Sequence, residues 1–234
     1  MPVREIVDKS AFNGSLELPF ELRLADFEIA IQDVYDFFFD VNTLFDKKGL
    51  PRLDDNLRPA ILSGMLSDMM TASLAAHSRS LVQNKYFNGH PDLVVGGWYP
   101  NNAVQAGSEG VEIKTTRKKG GAVDTHGARD QWMCVFVYET DNSTEPARER
   151  RPLIFTEVYL TKVEGADFRN NPRGLLGTRT STLDRAGVLK LRSGWVYLRN
   201  RGQPSNCAPG DSNEHGIRFD ANAFQADGIA GRQS

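Results

Sequence analysis

The chain has 234 residues, of which 40% are hydrophobic and 25% are charged, and its formal net charge is −2. At this length most of the surface of the unfolded chain can be buried, so the composition excludes a small scaffold that depends on disulfides or a structural metal. No segment approaches the roughly eighteen apolar residues of a membrane span. Residues 1–12 carry charges in place of the apolar stretch of a signal peptide, so we expect a cytoplasmic protein without membrane contact.

Two helices are predicted in the first third of the chain. Apolar residues recur at steps of three and four over residues 25–45, which places them along one side of a helix that Gly49 and Pro51 end. Proline suits the first turn of a helix, and we predict a second helix from Pro59 to about residue 81.

Strands follow the helices. Residues 93–95 and 111–116 are rich in β-branched side chains and are predicted to be strands. The Gly and Asn residues between them favour turns, so we expect the two strands to form a hairpin. The remaining predicted elements are a short helix at residues 125–131, strands at 133–138, 153–163 and 194–198, and a long connection at 166–187. This order predicts an α/β fold with one central mixed sheet flanked by helices.

The residues that carry chemistry lie at the predicted hairpin. Side chains alternate along a strand, so Glu112 and Lys114 point the same way while Ile113 faces the core. Asp92 opens the neighbouring strand, close to both. Two converging carboxylates repel each other and favour a hard cation such as Mg²⁺ between them. A lysine beside such an ion orients or deprotonates an attacking water, which completes a phosphodiesterase centre.

At Pro91-Asp92 and Glu112-Ile113-Lys114 the sequence resembles the PD-(D/E)XK nuclease superfamily. The resemblance covers about residues 68–138 and implies a restriction-endonuclease-like core. It also implies that Asp92 and Glu112 bind Mg²⁺, that the backbone oxygen of Ile113 is a further ligand, and that Lys114 serves the attacking water. We expect Mn²⁺ to substitute for Mg²⁺.

Within this superfamily the chain most resembles type II restriction endonucleases, given its length and the basic loop that directly follows Lys114. Many of these enzymes take a further acidic ligand from the helix before the first core strand. Asp68 is the candidate here, with Asp55 behind it, and the alternative is that each is an exposed helix carboxylate. The phosphate-binding motif of ATPases is absent, so no nucleotide cofactor is expected.

The resemblance implies a single nuclease domain over residues 1–234. We predict a mainly helical part at residues 1–85, a catalytic core with recognition segments at residues 86–200, and an irregular tail at residues 201–234, which is rich in Gly, Pro, Asn, Ser and Asp.

Basic residues are distributed unevenly along the chain. Residues 1–92 contain nine Lys or Arg against fourteen Asp or Glu, whereas residues 162–201 contain nine Lys or Arg against three acidic residues. A cationic segment of this kind suits the binding of phosphates, and Arg or Gln side chains can also read base edges. The alternative is that these basic residues simply form a solvated surface. The predicted DNA-binding residues are Arg117, Lys118, Lys119, His126, Arg129, Gln131, Arg169, Arg173, Arg179 and Arg185.

The sequence therefore predicts a Mg²⁺-dependent, sequence-specific endonuclease that cuts double-stranded DNA, acting as a homodimer because each subunit offers one centre. Two alternatives stay open. One is a nuclease that depends on DNA structure or base modification, and the other is a DNA-binding protein on a nuclease fold that no longer cuts.

Overall fold

The computed structural model describes residues 2–125, 127–171 and 180–199, all of which fall within one compact unit, Met1–Gly202. The helices are α1 (Leu24–Lys47), α2 (Leu53–Asn56), α3 (Pro59–His77) and α4 (Arg185–Ser193). The strands are β1 (Leu81–Gln83), β2 (Leu93–Val95), β3 (Gly110–Thr116), β4 (Asp124–Thr125), β5 (Gln131–Glu139), β6 (Ile154–Val163), β7 (Phe168–Asn170), β8 (Ser181–Leu183) and β9 (Trp195–Leu198).

The two long helices form where the apolar periodicity predicts them. Helix α1 buries Phe27, Ile31, Val34 and Phe38 on one side, and α3 begins with proline in its first turn. Helix α3 ends at His77, before the predicted end, because the chain turns there into the short strand β1. The hydroxyl of Ser78 accepts the backbone N–H of Leu81 at this turn, at 2.8 Å.

Six strands form one mixed sheet in the order β1-β2-β3-β5-β6-β9. Strands β3 and β5 are parallel, and the other neighbouring pairs are antiparallel. The expected α/β fold with a central mixed sheet is therefore confirmed, as is the antiparallel pairing of β2 with β3. Strands β4, β8 and β7 form a second, smaller sheet.

The large sheet is covered on both faces. Successive side chains along each strand point to opposite faces, and each face packs in its own hydrophobic cluster. Residues such as Ile113, Cys134 and Phe136 pack with α1 and α3. Their neighbours Met133 and Val135 face the other way and pack with residues of β8 and α4. Glu112 and Lys114 lie opposite Met133 and Val135 in the β3–β5 register, so they share this second face.

Two predicted segments differ from the structure. The described part of residues 125–131 contains no helix: Thr125 belongs to β4 and Gln131 begins β5. The segment pairs with distant β8, and it lacks the apolar stripe that would stabilise a helix. The predicted long connection at 166–187 includes β7, β8 and the start of α4.

Two other expectations concern the tail and the membrane. The predicted irregular tail at residues 201–234 lies outside the described residues. Among the described residues, no helix combines the length and the hydropathy needed to cross a bilayer.

Candidate active site

Strands β2 and β3 bring Asp92 beside Glu112. Leu93 pairs with Val111 in the antiparallel register, so the preceding Asp92 and the following Glu112 are neighbours on the same face of the sheet. The Oδ2 atom of Asp92 accepts the backbone N–H of Ile113 at 2.8 Å. This bond fixes the carboxylate at the point where the β2–β3 ladder ends.

Lys114 completes the cluster from the same strand as Glu112. Its Nζ lies 2.5 Å from Oε1 of Glu112 and 4.0 Å from Oδ2 of Asp92. The structure thus brings together the three side chains that the sequence predicted for the catalytic centre. Their convergence follows from strand alternation and the register of one hairpin.

Burial makes the charges of this cluster interdependent. Burial raises the pKa of Asp92 to about 6, and the charge of Glu112 adds to the rise. Burial alone would also raise the pKa of Glu112, but its bonds to His90 and Lys114 outweigh this effect and lower it. The same two carboxylates hold the pKa of Lys114 above its usual value in spite of burial. The two carboxylates therefore favour the protonated, positively charged form of Lys114. Asp92 is the carboxylate whose ionised form a further cation would stabilise most.

His90 belongs to this site, although the sequence pattern did not predict it. Its Nδ1 lies 3.1 Å from Oε2 of Glu112, and an ionised carboxylate only accepts, so Nδ1 carries the proton. The backbone of His90 is fixed on both sides: its N–H donates to Gln105 and its carbonyl accepts from Gly107. The sequence did contain one signal for His90. It precedes Asp92 by two residues, which is the same spacing as that between Glu112 and Lys114.

The donor set suits Mg²⁺ in type, since it offers carboxylate oxygens and a nearby peptide oxygen. The carbonyl of Ile113 accepts the hydroxyl of Ser67 on α3 at 3.1 Å, which leaves its second lone pair for another partner. Asp92 and Glu112 are the residues that would hold the ion, with water or substrate oxygens completing its shell.

The predicted additional acidic ligands do not join this pair. Asp68 is exposed on α3, and Asp55 on α2 pairs with Arg150 at 3.2 Å. Within the described part of the chain, no three His, Cys, Asp or Glu side chains form a metal-binding group. The third acidic ligand stays a prediction without a neighbouring carboxylate to support it.

The predicted DNA-binding residues lie in different environments. Arg117, Lys118 and Lys119 are exposed directly after β3, and Lys119 also pairs with Glu139 at 3.3 Å. Arg129 is half-buried, and its charge partly offsets the rise in the pKa of Lys114.

The remaining members of that set are buried, exposed on other elements, or outside the described residues. Gln131 is 6% exposed at the start of β5, so the predicted groove-reading helix that would present it is wrong. Arg169 on β7 and Arg185 on α4 are exposed. His126, Arg173 and Arg179 lie outside the described residues. DNA contact by any member of the set stays a prediction.

Comparison of the chain with protein-family models, with curated proteins and with solved structures found no match. Any function assigned to this chain therefore rests on the residues and geometry of this site.

Proposed function

We propose that this protein is a Mg²⁺-dependent endonuclease that hydrolyses phosphodiester bonds in double-stranded DNA, with the sequence specificity of a type II restriction enzyme. One observation carries the proposal: Asp92, Glu112 and Lys114 converge on one face of the sheet, with the ammonium 2.5 Å from one carboxylate and 4.0 Å from the other. Two carboxylates in this arrangement can hold a divalent ion, and a lysine beside them can orient the attacking water, which are the roles that metal-assisted phosphodiester hydrolysis uses.

Each side chain has a separate task in this proposal. Asp92 and Glu112 hold the ion, which when bound polarises the phosphoryl oxygen and acidifies its water. Lys114 is positioned by Glu112, so its ammonium orients the attacking water or stabilises charge on the phosphate.

The exposed residues Arg117 and Lys118 leave the catalytic strand directly and would contact phosphates beside the scissile bond. A duplex has two strands and each subunit one such centre, so we propose that a homodimer makes the double-strand cut.

Incubation of the purified protein with plasmid DNA of known sequence and Mg²⁺ tests the proposal. We expect discrete fragments, and Asp92→Ala and Lys114→Ala should each lower the rate by about a hundredfold or more, because each removes a group that acts in the transition state. Asp40→Ala and Lys47→Ala are matched controls, because both residues are exposed on α1, away from the catalytic face. They should cut at the wild-type rate.

DNA binding measured on the same variants separates an enzyme from a binding protein. A nuclease loses cleavage in Asp92→Ala while it still binds DNA. If the wild-type protein binds DNA but cuts neither unmodified nor methylated plasmid with Mg²⁺ or Mn²⁺, the enzymatic proposal is wrong.

A further inference from the structure

Three large aromatic side chains are exposed on two loops next to the candidate active site. Phe87 is 86% exposed and Tyr86 is 44% exposed in the His90 loop, which we define as residues 84–92. Trp98 is 63% exposed in the Trp98 loop, residues 96–109. Several exposed aromatic rings in adjoining loops indicate a surface that binds something, because burial of such rings is favourable.

A single side chain joins the two loops into one unit. The amide nitrogen of Asn84 donates to the carbonyls of Pro91 at 3.0 Å and Val104 at 2.8 Å. Its amide oxygen accepts the backbone N–H groups of Tyr86 and Val104, each at 3.0 Å. The backbone N–H of Lys85 also donates to Asn102 across the loops, at 2.9 Å. We call the pair of joined loops the aromatic platform.

The aromatic platform is continuous with the catalytic residues. His90, which contacts Glu112, is bonded through its backbone to Gln105 at 3.0 Å and to Gly107 at 2.8 Å. Trp98 and Ser108 line an open concavity together with Arg129, whose charge acts on Lys114. The aromatic platform therefore adjoins the catalytic centre through the backbone hydrogen bonds of His90.

The charge of the aromatic platform indicates which part of that ligand it contacts. Its two loops contain one lysine, Lys85, and two acidic residues, Asp92 and Glu109, so they offer little to phosphates. The exposed basic residues follow β3, at Arg117 and Lys118. Flat uncharged nucleobases fit the rings, whereas the backbone of the strand fits the basic residues.

We propose that the aromatic platform stacks on nucleobases of DNA bound at the catalytic centre, and that the bound duplex has an unstacked base beside the scissile phosphate. This inference rests on the proposed nuclease function and deepens it. A base leaves the stack at least cost where it is already unpaired or mismatched. The bound substrate is therefore duplex DNA that is locally opened, and a duplex that is already unpaired at this point should bind more tightly.

DNA binding by the full-length protein tests the inference, measured by fluorescence anisotropy in Ca²⁺ in place of Mg²⁺. The probes are a labelled duplex with a randomised centre and the same duplex with two adjacent unpaired bases. Wild-type protein should bind the second probe about tenfold more tightly, since stacking of a base on an aromatic ring contributes that order of affinity. Trp98→Ala and Phe87→Ala should each remove most of this preference, and Trp98→Phe should keep it.

Leu189→Ala is the matched control, because Leu189 is an exposed apolar residue on α4 that is distant in sequence from both loops. It should keep the wild-type preference, and thermal melting of every variant checks that the fold is intact. If Trp98→Ala and Phe87→Ala keep the preference, or if the wild type binds both probes equally, the inference is wrong while cleavage of plasmid still supports the proposed function.

Two further results separate the remaining explanations. A wild-type protein that neither binds nor cuts DNA refutes the proposed function and this inference together. Variants that change the sedimentation of the DNA-free protein, but leave the preference for unpaired bases unchanged, identify the aromatic platform as a protein interface and overturn the inference.

Discussion

At the scale of single residues, Glu112 is bonded through both of its carboxylate oxygens. Oε1 meets Lys114 and Oε2 meets His90. Lys114 lies two residues away on the same strand, whereas His90 comes from a loop whose backbone is bonded on both sides. The imidazole is therefore the more rigidly placed of the two partners, and we infer that it positions the glutamate for metal binding.

Replacement of His90 tests this positioning role. His90→Ala should lower the cleavage rate at limiting Mg²⁺ by about tenfold to a hundredfold and raise the Mg²⁺ concentration at half-maximal rate, because outer-shell partners of metal ligands have effects of this size. His90→Gln keeps an N–H donor and should recover part of the loss.

The measurement is a Mg²⁺ titration of the plasmid cleavage rate, together with a melting curve. His77→Ala is the control, because His77 lies at the end of α3 and contacts Asp33. Wild-type cleavage by His90→Ala at every Mg²⁺ concentration would show that Glu112 needs no such support.

The convergence of Asp92, Glu112 and Lys114 was predictable from the sequence because strand alternation and the pairing of two neighbouring strands suffice to bring them together. Sequence reasoning missed His90, whose contact depends on how a loop packs against the strand. It also placed Gln131 on an exposed helix, whereas the sheet buries this residue. Exposure of a polar side chain depends on long-range pairing that a local pattern does not contain.

At the scale of elements, the junction of β2 with β3 determines the distance between the two carboxylates. A side chain at Gly110 would overlap the carbonyl oxygen of Leu93 and crowd Pro91. Only glycine at position 110 lets β2 and β3 approach this closely next to the candidate catalytic cluster.

Gly110→Ala should therefore lower the free energy of unfolding by about 2 kcal/mol, the usual cost of forcing atoms into a packed site. It should also reduce cleavage, because Asp92 is displaced from Glu112. Urea unfolding followed by a cleavage assay at a temperature where the variant is folded measures both effects. Gly64→Ala is the control, since nothing lies within 4 Å of the added carbon in this helix. An unchanged unfolding curve for Gly110→Ala would contradict the close approach.

The long elements were predictable from the sequence, and most of the short ones were not. The apolar stripe of α1 and the β-branched residues of β3 are each long enough to indicate the type of element from the local sequence. Helix α4 was missed because it has only nine residues, of which Gly187 and Leu191 are buried. Strands β7 and β8 stabilise each other across the chain, so neither three-residue segment shows a strand pattern alone.

At the scale of the whole molecule, stability against acid depends in part on one buried carboxylate in the connection between β5 and β6. Asp141 accepts the backbone N–H groups of Arg151 and Thr144, each at 3.1 Å, and the hydroxyl of Thr144 at 2.8 Å. These bonds, that of Arg151 first, hold the pKa of Asp141 well below its usual value.

A pKa that is lower in the folded state gives stability that is present above the unfolded pKa, about 3.9 for aspartate, and is lost as the pH falls. Asp141→Asn should therefore melt at a lower temperature than the wild type at pH 7, because the neutral amide accepts fewer bonds. The difference should narrow below about pH 4. Melting curves from pH 7 down to about pH 2.5, with exposed Asp40→Asn as control, provide the test. A difference that is constant with pH would contradict a charge-dependent role for Asp141.

The chemical groups of the candidate site all come from one uninterrupted stretch of the chain, from His90 to Lys114. The exposed arginines Arg169 and Arg185 come from elements that lie after β6 in the chain. Under the proposed function, the groups that cleave and the arginines predicted to contact DNA thus come from different portions of the polypeptide. Exposed positions beyond β6 can therefore be substituted without change to the residues of the candidate site, provided that the buried Leu183 and Leu191 keep their packing against β5.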